Sequence, residues 1–96
     1  MGRIFKGQTS LRLVLKTFAD LSGARSAAVR YAKPGGEVGE LSAGVPVPED
    51  GLLCHDFEEG ELDEAGWWRF WSFVVFADGR SAAGEAARVH VWEEGS

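Results

Sequence analysis

The sequence predicts an all-β sandwich of about seven strands, formed as one domain over residues 1–96. Turn-forming residues recur about every eight to twelve positions, which is the spacing of a small all-β sandwich. No long stretch shows the 3.6-residue period of an amphipathic helix. The 13 glycines suit a fold with many turns, and 96 residues suffice for one hydrophobic core but not for two.

The strands are predicted where alternating side chains lie between turn signals. In the second strand Leu11, Leu13 and Leu15 occupy every second position, so they share one side of the strand, and we expect that apolar side to face the core. The fourth strand is weak and of mixed polarity, and Pro46 and Pro48 remove backbone donors after it, so a loop or an edge follows. The seven predicted strands are residues 3–6, 10–18, 26–33, 37–43, 51–57, 67–76 and 87–92.

The sixth strand is the most informative segment, because eight of its ten residues are apolar or aromatic. A strand that is half in water carries apolar residues at every second position, so this strand has two apolar faces and its outer face needs a partner. We expect Trp68 to point inward. The opposite register would bury Arg69, at a high desolvation cost.

With this register, the outer side of the sheet collects large aromatic residues and arginines. Such residues are enriched at the centres of protein interfaces, and a continuous exposed patch of them is rare on a free monomer. A contact face is therefore predicted, although the Asp63 region, the N-terminus or the loop of residues 46–50 could instead fold over it. The predicted interface residues are Arg30, Trp67, Arg69, Trp71, Phe73, Arg88, His90 and Trp92.

Charge and cysteine content narrow the choice of partners and compartments. The formal charge of −5 repels nucleic-acid phosphates and anionic membranes, so neither is an expected partner unless a local arginine cluster overrides the net charge. The lone Cys54 cannot form an internal disulfide. The N-terminus lacks the apolar stretch of a signal peptide, which predicts synthesis and folding in a cytoplasm.

The residues that usually carry catalysis or metal binding are few. Cys54 and His55 are neighbours on a strand and point to opposite faces, so they cannot form a nucleophile–base pair without a bulge. With His90, they also lack the spacing of a zinc site. The acidic connection of residues 58–66 offers oxygen ligands for Ca²⁺ but matches no EF-hand. The prediction is a protein without enzymatic activity, cofactor or metal.

Several motifs together resemble the small immunoglobulin-like domains encoded among bacteriophage tail genes, including the N-terminal domain of upper baseplate proteins. The resemblance implies an immunoglobulin-like antiparallel sandwich and a structural or assembly role in a phage virion or tail. It also implies protein subunits as partners, either copies of the chain in a homo-oligomer or other tail proteins, after synthesis in the bacterial host cytoplasm. The motifs are Ile4-Phe5-Lys6-Gly7-Gln8-Thr9, Asp20-Leu21-Ser22-Gly23-Ala24, Lys33-Pro34-Gly35-Gly36, Gly51-Leu52-Leu53, Leu62-Asp63-Glu64-Ala65-Gly66-Trp67-Trp68-Arg69 and Phe76-Ala77-Asp78-Gly79-Arg80.

The chain departs from that family on the outer side of the sixth strand, where such domains usually carry polar residues in place of Trp67, Trp71 and Phe73. The departure indicates a partner specific to this protein. The alternative function is a carbohydrate-binding module that stacks sugar rings on Trp67, Trp71 or Trp92, but few amides and carboxylates surround these residues to hold hydroxyl groups.

Overall fold

The structure is a computed structural model that describes residues 3–9, 11–17, 20–93 and 95, and it confirms the predicted β-sandwich. The predicted strand ends at Ser10 and Phe18 lie outside the described residues. No helix in the described part of the chain is long and apolar enough to cross a bilayer. The strands are β1 (Ile4–Phe5), β2 (Arg12–Lys16), β3 (Ala24–Ala32), β4 (Val38–Ser42), β5 (Leu52–Asp56), β6 (Gly66–Phe76), β7 (Ser81–Ala83) and β8 (Ala87–Trp92), and a 3₁₀ turn spans Pro48–Asp50.

The two layers of the sandwich differ in size. The large sheet has the strand order β1-β8-β6-β3-β4, and β7 also pairs with β6. The small sheet pairs β2 with β5, and an isolated bridge between Gly44 and Cys54 widens it on the other side of β5. Because β6 lies between β8 and β3, its side chains occupy the middle of both faces of the large sheet.

Two details of the topology differ from the prediction. The turn at Asp78-Gly79 leads to the unpredicted strand β7, which pairs with Phe73–Val75, whereas β8 pairs with Gly66–Phe70. The two short strands therefore share one edge of the long strand β6, which gives eight strands among the described residues. In addition, β1 pairs with β8 in parallel, so the sandwich is not antiparallel throughout.

The core confirms the predicted register of β6. Trp68 and Phe70 are 1% exposed, and Ser72 and Val74 are also buried. They pack with the small sheet, whose Leu15 and Leu53 belong to the same buried cluster. This alternation leaves the other side of β6 to face away from the core.

Trp68 is held by more than apolar packing. Its indole N–H donates a hydrogen bond to the backbone carbonyl of Glu64, with an N···O distance of 2.9 Å. Its ring stacks on Phe70 with the centroids 5.7 Å apart, and it contacts Tyr31 at 5.6 Å. Because a buried indole N–H needs an acceptor, this bond fixes the start of β6 against the acidic connection.

Candidate ligand-binding face

The outer surface of the large sheet brings together all eight residues of the predicted interface. Strand β6 supplies four of them, β3 supplies Arg30, and β8 supplies the other three. The register places Arg30 opposite Trp71, Arg88 opposite Arg69, and His90 opposite Trp67. Directly opposite residues lie on the same side of a sheet, so these side chains form one surface. We call it the Arg–Trp face: Arg30, Trp67, Arg69, Trp71, Phe73, Arg88, His90 and Trp92.

The Arg–Trp face is open to solvent around Trp67, whereas Trp71, Phe73, His90 and Trp92 are half-buried. Trp67 is 53% exposed, and Arg69 and Arg88 are exposed as well. The acidic connection, which could have covered the face, instead inserts Leu62 into the core between the sheets, where it is 2% exposed. Exposure of a tryptophan at the centre of a sheet is costly in water, so this surface calls for a functional explanation.

Arginines lie over several of the aromatic rings. The guanidinium carbon of Arg88 is 4.7 Å from the Trp67 ring centroid, and that of Arg30 is 3.6 Å from the Phe73 centroid. His90 makes an edge contact with Trp67 at 4.8 Å. These cation–π and edge contacts keep the rings and the charges in fixed positions before any ligand arrives.

The cross-strand pair of Arg69 and Arg88 is the most unusual feature of this surface. The two arginines are directly opposite each other on β6 and β8. Among the described residues, neither has a carboxylate within ion-pair distance. Like charges directly opposite each other destabilise a sheet. Within the described residues, these two adjacent positive charges therefore have no paired counter-charge.

The charge of the surface is opposite to that of the chain. Arg30, Arg69 and Arg88, with Arg3 beside them and Glu40 as the acidic member, give a formal charge of +3, which leaves −8 for the rest of the chain. Glu40 is already paired with Arg30, at an N···O distance of 3.2 Å. The net charge of the whole chain therefore hides a basic patch.

Sequence reasoning missed two members of this surface, Arg3 and Phe5. The Arg3 guanidinium lies 4.3 Å from the Trp92 ring centroid, and Phe5 is the register partner of Trp92. Both depend on the parallel pairing of β1 with β8. That pairing joins the two ends of the chain, and no local pattern in the sequence signals it.

The buried histidine of the small sheet forms a separate polar cluster. His55 is 6% exposed, with Nδ1 2.6 Å from the carbonyl oxygen of Ser42 and Nε2 2.8 Å from Oε1 of Glu61. Both ring nitrogens are therefore occupied by protein partners. Its neighbour Cys54 directs its thiol toward the Gly44 carbonyl oxygen, with an S···O distance of 3.7 Å.

The acidic connection is tied to the fold by its carboxylates. Asp63 accepts a hydrogen bond from the Lys33 ammonium at 2.9 Å, and this bond lowers the pKa of Asp63 and raises the pKa of Lys33. Glu64 accepts a hydrogen bond from the backbone N–H of Gly35. Within the described residues, no group of three or more His, Cys, Asp or Glu side chains could hold a metal ion.

Comparison with known proteins gives a likeness of fold. No protein-family model matches the sequence, and no curated protein matches it. Among solved structures, the chain is similar to CopC from Methylosinus trichosporium OB3b, with a TM-score of 0.63 and 13% sequence identity. The match covers 100% of this chain and 89% of that chain. At this identity the likeness supports the immunoglobulin-like sandwich and carries no residue roles with it.

This comparison corrects the function that the sequence predicts. A structural or assembly role in a phage virion or tail is wrong, because the matching structure is a copper-binding protein and not a virion component. The motifs behind that expectation are turns and core aromatics, which specify a sandwich and not its use. Residues of the Arg–Trp face are unaffected by this correction, and their role as an interface stays a prediction.

Proposed function

We propose that this domain is a non-catalytic binding module that holds anionic ligands on the Arg–Trp face. The observation that carries the proposal is the cross-strand pair of Arg69 and Arg88, which has no carboxylate partner among the described residues and lies beside the exposed ring of Trp67. Two positive residues directly opposite each other disfavour the free surface, and an anion bound beside both offsets that cost.

The hydrogen-bonding groups of the face favour an anion over a neutral sugar. Its arginines offer only N–H donors, and its one carboxylate, Glu40, is already paired with Arg30. Neutral sugars need acceptors as well as donors around their hydroxyl groups. Phosphate, sulfate and carboxylate are acceptors only, and they fit the planar fork of arginine in a bidentate manner.

The positive charges of Arg69 and Arg88 disfavour a homo-oligomer that forms through the Arg–Trp face. A two-fold contact places the same patch of each copy against its own image. On the Arg–Trp face this arrangement would bring Arg69 and Arg88 of one copy toward those of the other, and Glu40, the carboxylate placed on this surface, is already paired with Arg30. A face-to-face dimer is therefore disfavoured, and an anionic partner is favoured.

The test measures the binding of three fluorescent polyanions: a heparin fragment, an oligothymidylate and a polyglutamate peptide, with neutral dextran as the negative control. At least one polyanion should bind, with an affinity that falls between about 50 and 200 mM salt. Arg69→Gln and Arg88→Gln should each weaken that binding about tenfold.

Arg12→Gln is the matched control. Arg12 lies on β2 in the other sheet and pairs with Asp56 at 2.8 Å, so the variant removes the same charge from the opposite side of the domain. It should leave the affinity unchanged. If no polyanion binds, or if Arg12→Gln weakens binding as much as Arg69→Gln, the proposal is wrong.

Copper binding is the second candidate, because a copper-binding protein shares this fold. The described residues do not fit a copper site well. Both nitrogens of His55 are engaged, Cys54 lies beside it with its side chain on the other side of β5, and no third donor is grouped with them. Equilibrium dialysis against Cu²⁺ should therefore retain less than one ion per chain, whereas a stoichiometric, saturable uptake would favour this function over ours.

A further inference from the structure

The spacing of groups on β6 shows what kind of anion the face suits, and this inference rests on the proposed function. Trp67, Arg69 and Trp71 follow one another on the outer side of one strand. At about 3.3 Å per residue, the Cα atoms of the two tryptophans are about 13 Å apart, and Arg69 lies midway between them on the strand. A single flat ring cannot contact both. The complementary ligand is a chain whose flat groups are separated by negative charges.

We propose that the ligand is a single-stranded nucleic acid. Its bases are flat and its phosphates lie between successive sugars, which matches the order of ring, cation and ring on β6. A sulfated polysaccharide carries its charges on the rings themselves, and an acidic peptide carries carboxylates without flat groups. Stacking of bases on aromatic side chains, with arginines along the backbone, is a general mode of single-strand binding.

In this arrangement one base stacks at Trp67, on the ring or on the Arg88 guanidinium that lies over it, and a later base stacks on Trp71. The phosphate between them lies against Arg69 and Arg88, which are opposite each other across β6 and β8. Arg30 is opposite Trp71 on the other side of the path, but it is already paired with Glu40 and lies over the Phe73 ring, so the phosphate contacts of the arrangement rest on Arg69 and Arg88. In this arrangement the phosphates of the nucleic acid contact Arg69 and Arg88, and its bases contact the tryptophan rings.

The face favours a single strand over a duplex. Bases in a duplex are stacked within the helix and cannot reach an exposed ring on a flat sheet, so a duplex would offer its phosphates alone. The formal charge of −8 on the rest of the chain opposes such purely electrostatic binding. The chain contains no Asn, and the side-chain oxygen of its one Gln, Gln8, already accepts a hydrogen bond from the Phe5 backbone N–H, so few side-chain amides could read base edges. Selectivity among base sequences should therefore be weak.

The experiment titrates the domain with a fluorescent oligothymidylate of about six nucleotides, within the site sizes known for small single-strand binders. An abasic phosphodiester of the same length serves as the comparison ligand. Oligothymidylate should bind about tenfold or more tightly than the abasic chain, because stacking supplies part of the affinity. Trp71→Ala should remove most of that difference, and Trp71→Phe should keep it.

A second readout follows the phosphate contact. Arg69→Gln should lower the slope of log affinity against log salt by about one, as expected for one lost phosphate contact, whereas Trp71→Ala should leave the slope unchanged. The unfolding midpoint of each variant is measured beside the titration, and a variant that is unfolded at the assay temperature is replaced by Trp67→Ala.

Three outcomes would overturn the inference, and they differ in whether the proposed anion-binding function remains. If the heparin fragment or polyglutamate binds in an Arg69-dependent manner while oligothymidylate does not, the nucleic acid is excluded and the proposed anion-binding function remains. If oligothymidylate and the abasic chain bind equally, the aromatic rings have no role in recognition. If none of the polyanions binds, both proposals fall together.

Discussion

Replacing Trp68 by alanine tests the register that creates the Arg–Trp face. Trp68 is 1% exposed, stacks on Phe70, and donates its indole N–H to the Glu64 carbonyl. Truncation of a buried tryptophan costs about 3–5 kcal/mol. A domain of this size has a total stability of about 5–15 kcal/mol, so the variant should lose a large fraction of it.

Trp67→Ala is the matched control, one residue earlier on the same strand. Trp67 is 53% exposed, and its contact with Arg88 is worth about 0.5–1 kcal/mol. The variant should therefore lose about 1 kcal/mol or less. Urea unfolding followed by far-ultraviolet circular dichroism measures both variants without depending on tryptophan fluorescence.

With a denaturant slope of about 2 kcal/mol per molar urea, Trp68→Ala should lower the unfolding midpoint by about 1.5–2.5 M, and Trp67→Ala by about 0.5 M or less. Equal losses for the two variants, or a larger loss for Trp67→Ala, would mean that the opposite side of β6 faces the core. The account of the face would then be refuted together with the register.

Two further predictions concern other parts of the fold. A Cβ at Gly39 would overlap the Tyr31 side chain across the β3–β4 pair, so Gly39→Ala should lose about 1–3 kcal/mol in thermal unfolding, whereas Gly23→Ala, with open space around it, should change stability by less than about 0.5 kcal/mol. Because the hydrogen bond from Lys33 lowers the pKa of Asp63, this pair stabilises the folded state above about pH 4 and the stabilisation is lost as the pH falls through the lowered pKa. Asp63→Asn should therefore flatten the acid side of a plot of unfolding free energy against pH, and an unchanged profile would show that the pair does not couple to folding.

The register of β6 can be predicted from the sequence because only one of its two possible registers avoids burying Arg69. Arg30 and Arg88, which the sequence predicts to share the outer side of the sheet with β6, lie on the two strands beside it. Both successes depend on local alternation and on the cost of desolvating a charge, which a single sequence displays directly.

The features that could not be predicted from the sequence depend on contacts between distant segments of the chain. The parallel pairing of β1 with β8 brings Arg3 over Trp92. The alternation of side chains within either strand does not indicate which other strand it pairs with. The overall charge of −5 argued against anionic partners because it averages over both sides of the domain. Only the pairing of strands separates the basic face from the acidic remainder, and turn motifs that are shared by many sandwiches misled the prediction of function.

The central claim, that anions bind on the Arg–Trp face, is tested most directly by nuclear magnetic resonance of the indole N–H groups during titration with oligothymidylate or the heparin fragment. The four tryptophans give an internal comparison, because Trp67, Trp71 and Trp92 lie on the face and Trp68 lies in the core. The account predicts shifts for the three outer indoles, together with the backbone of Arg69 and Arg88, and little change for Trp68. Shifts confined to the small sheet around Cys54 and His55, or no shifts at ligand concentrations that saturate binding, would contradict it.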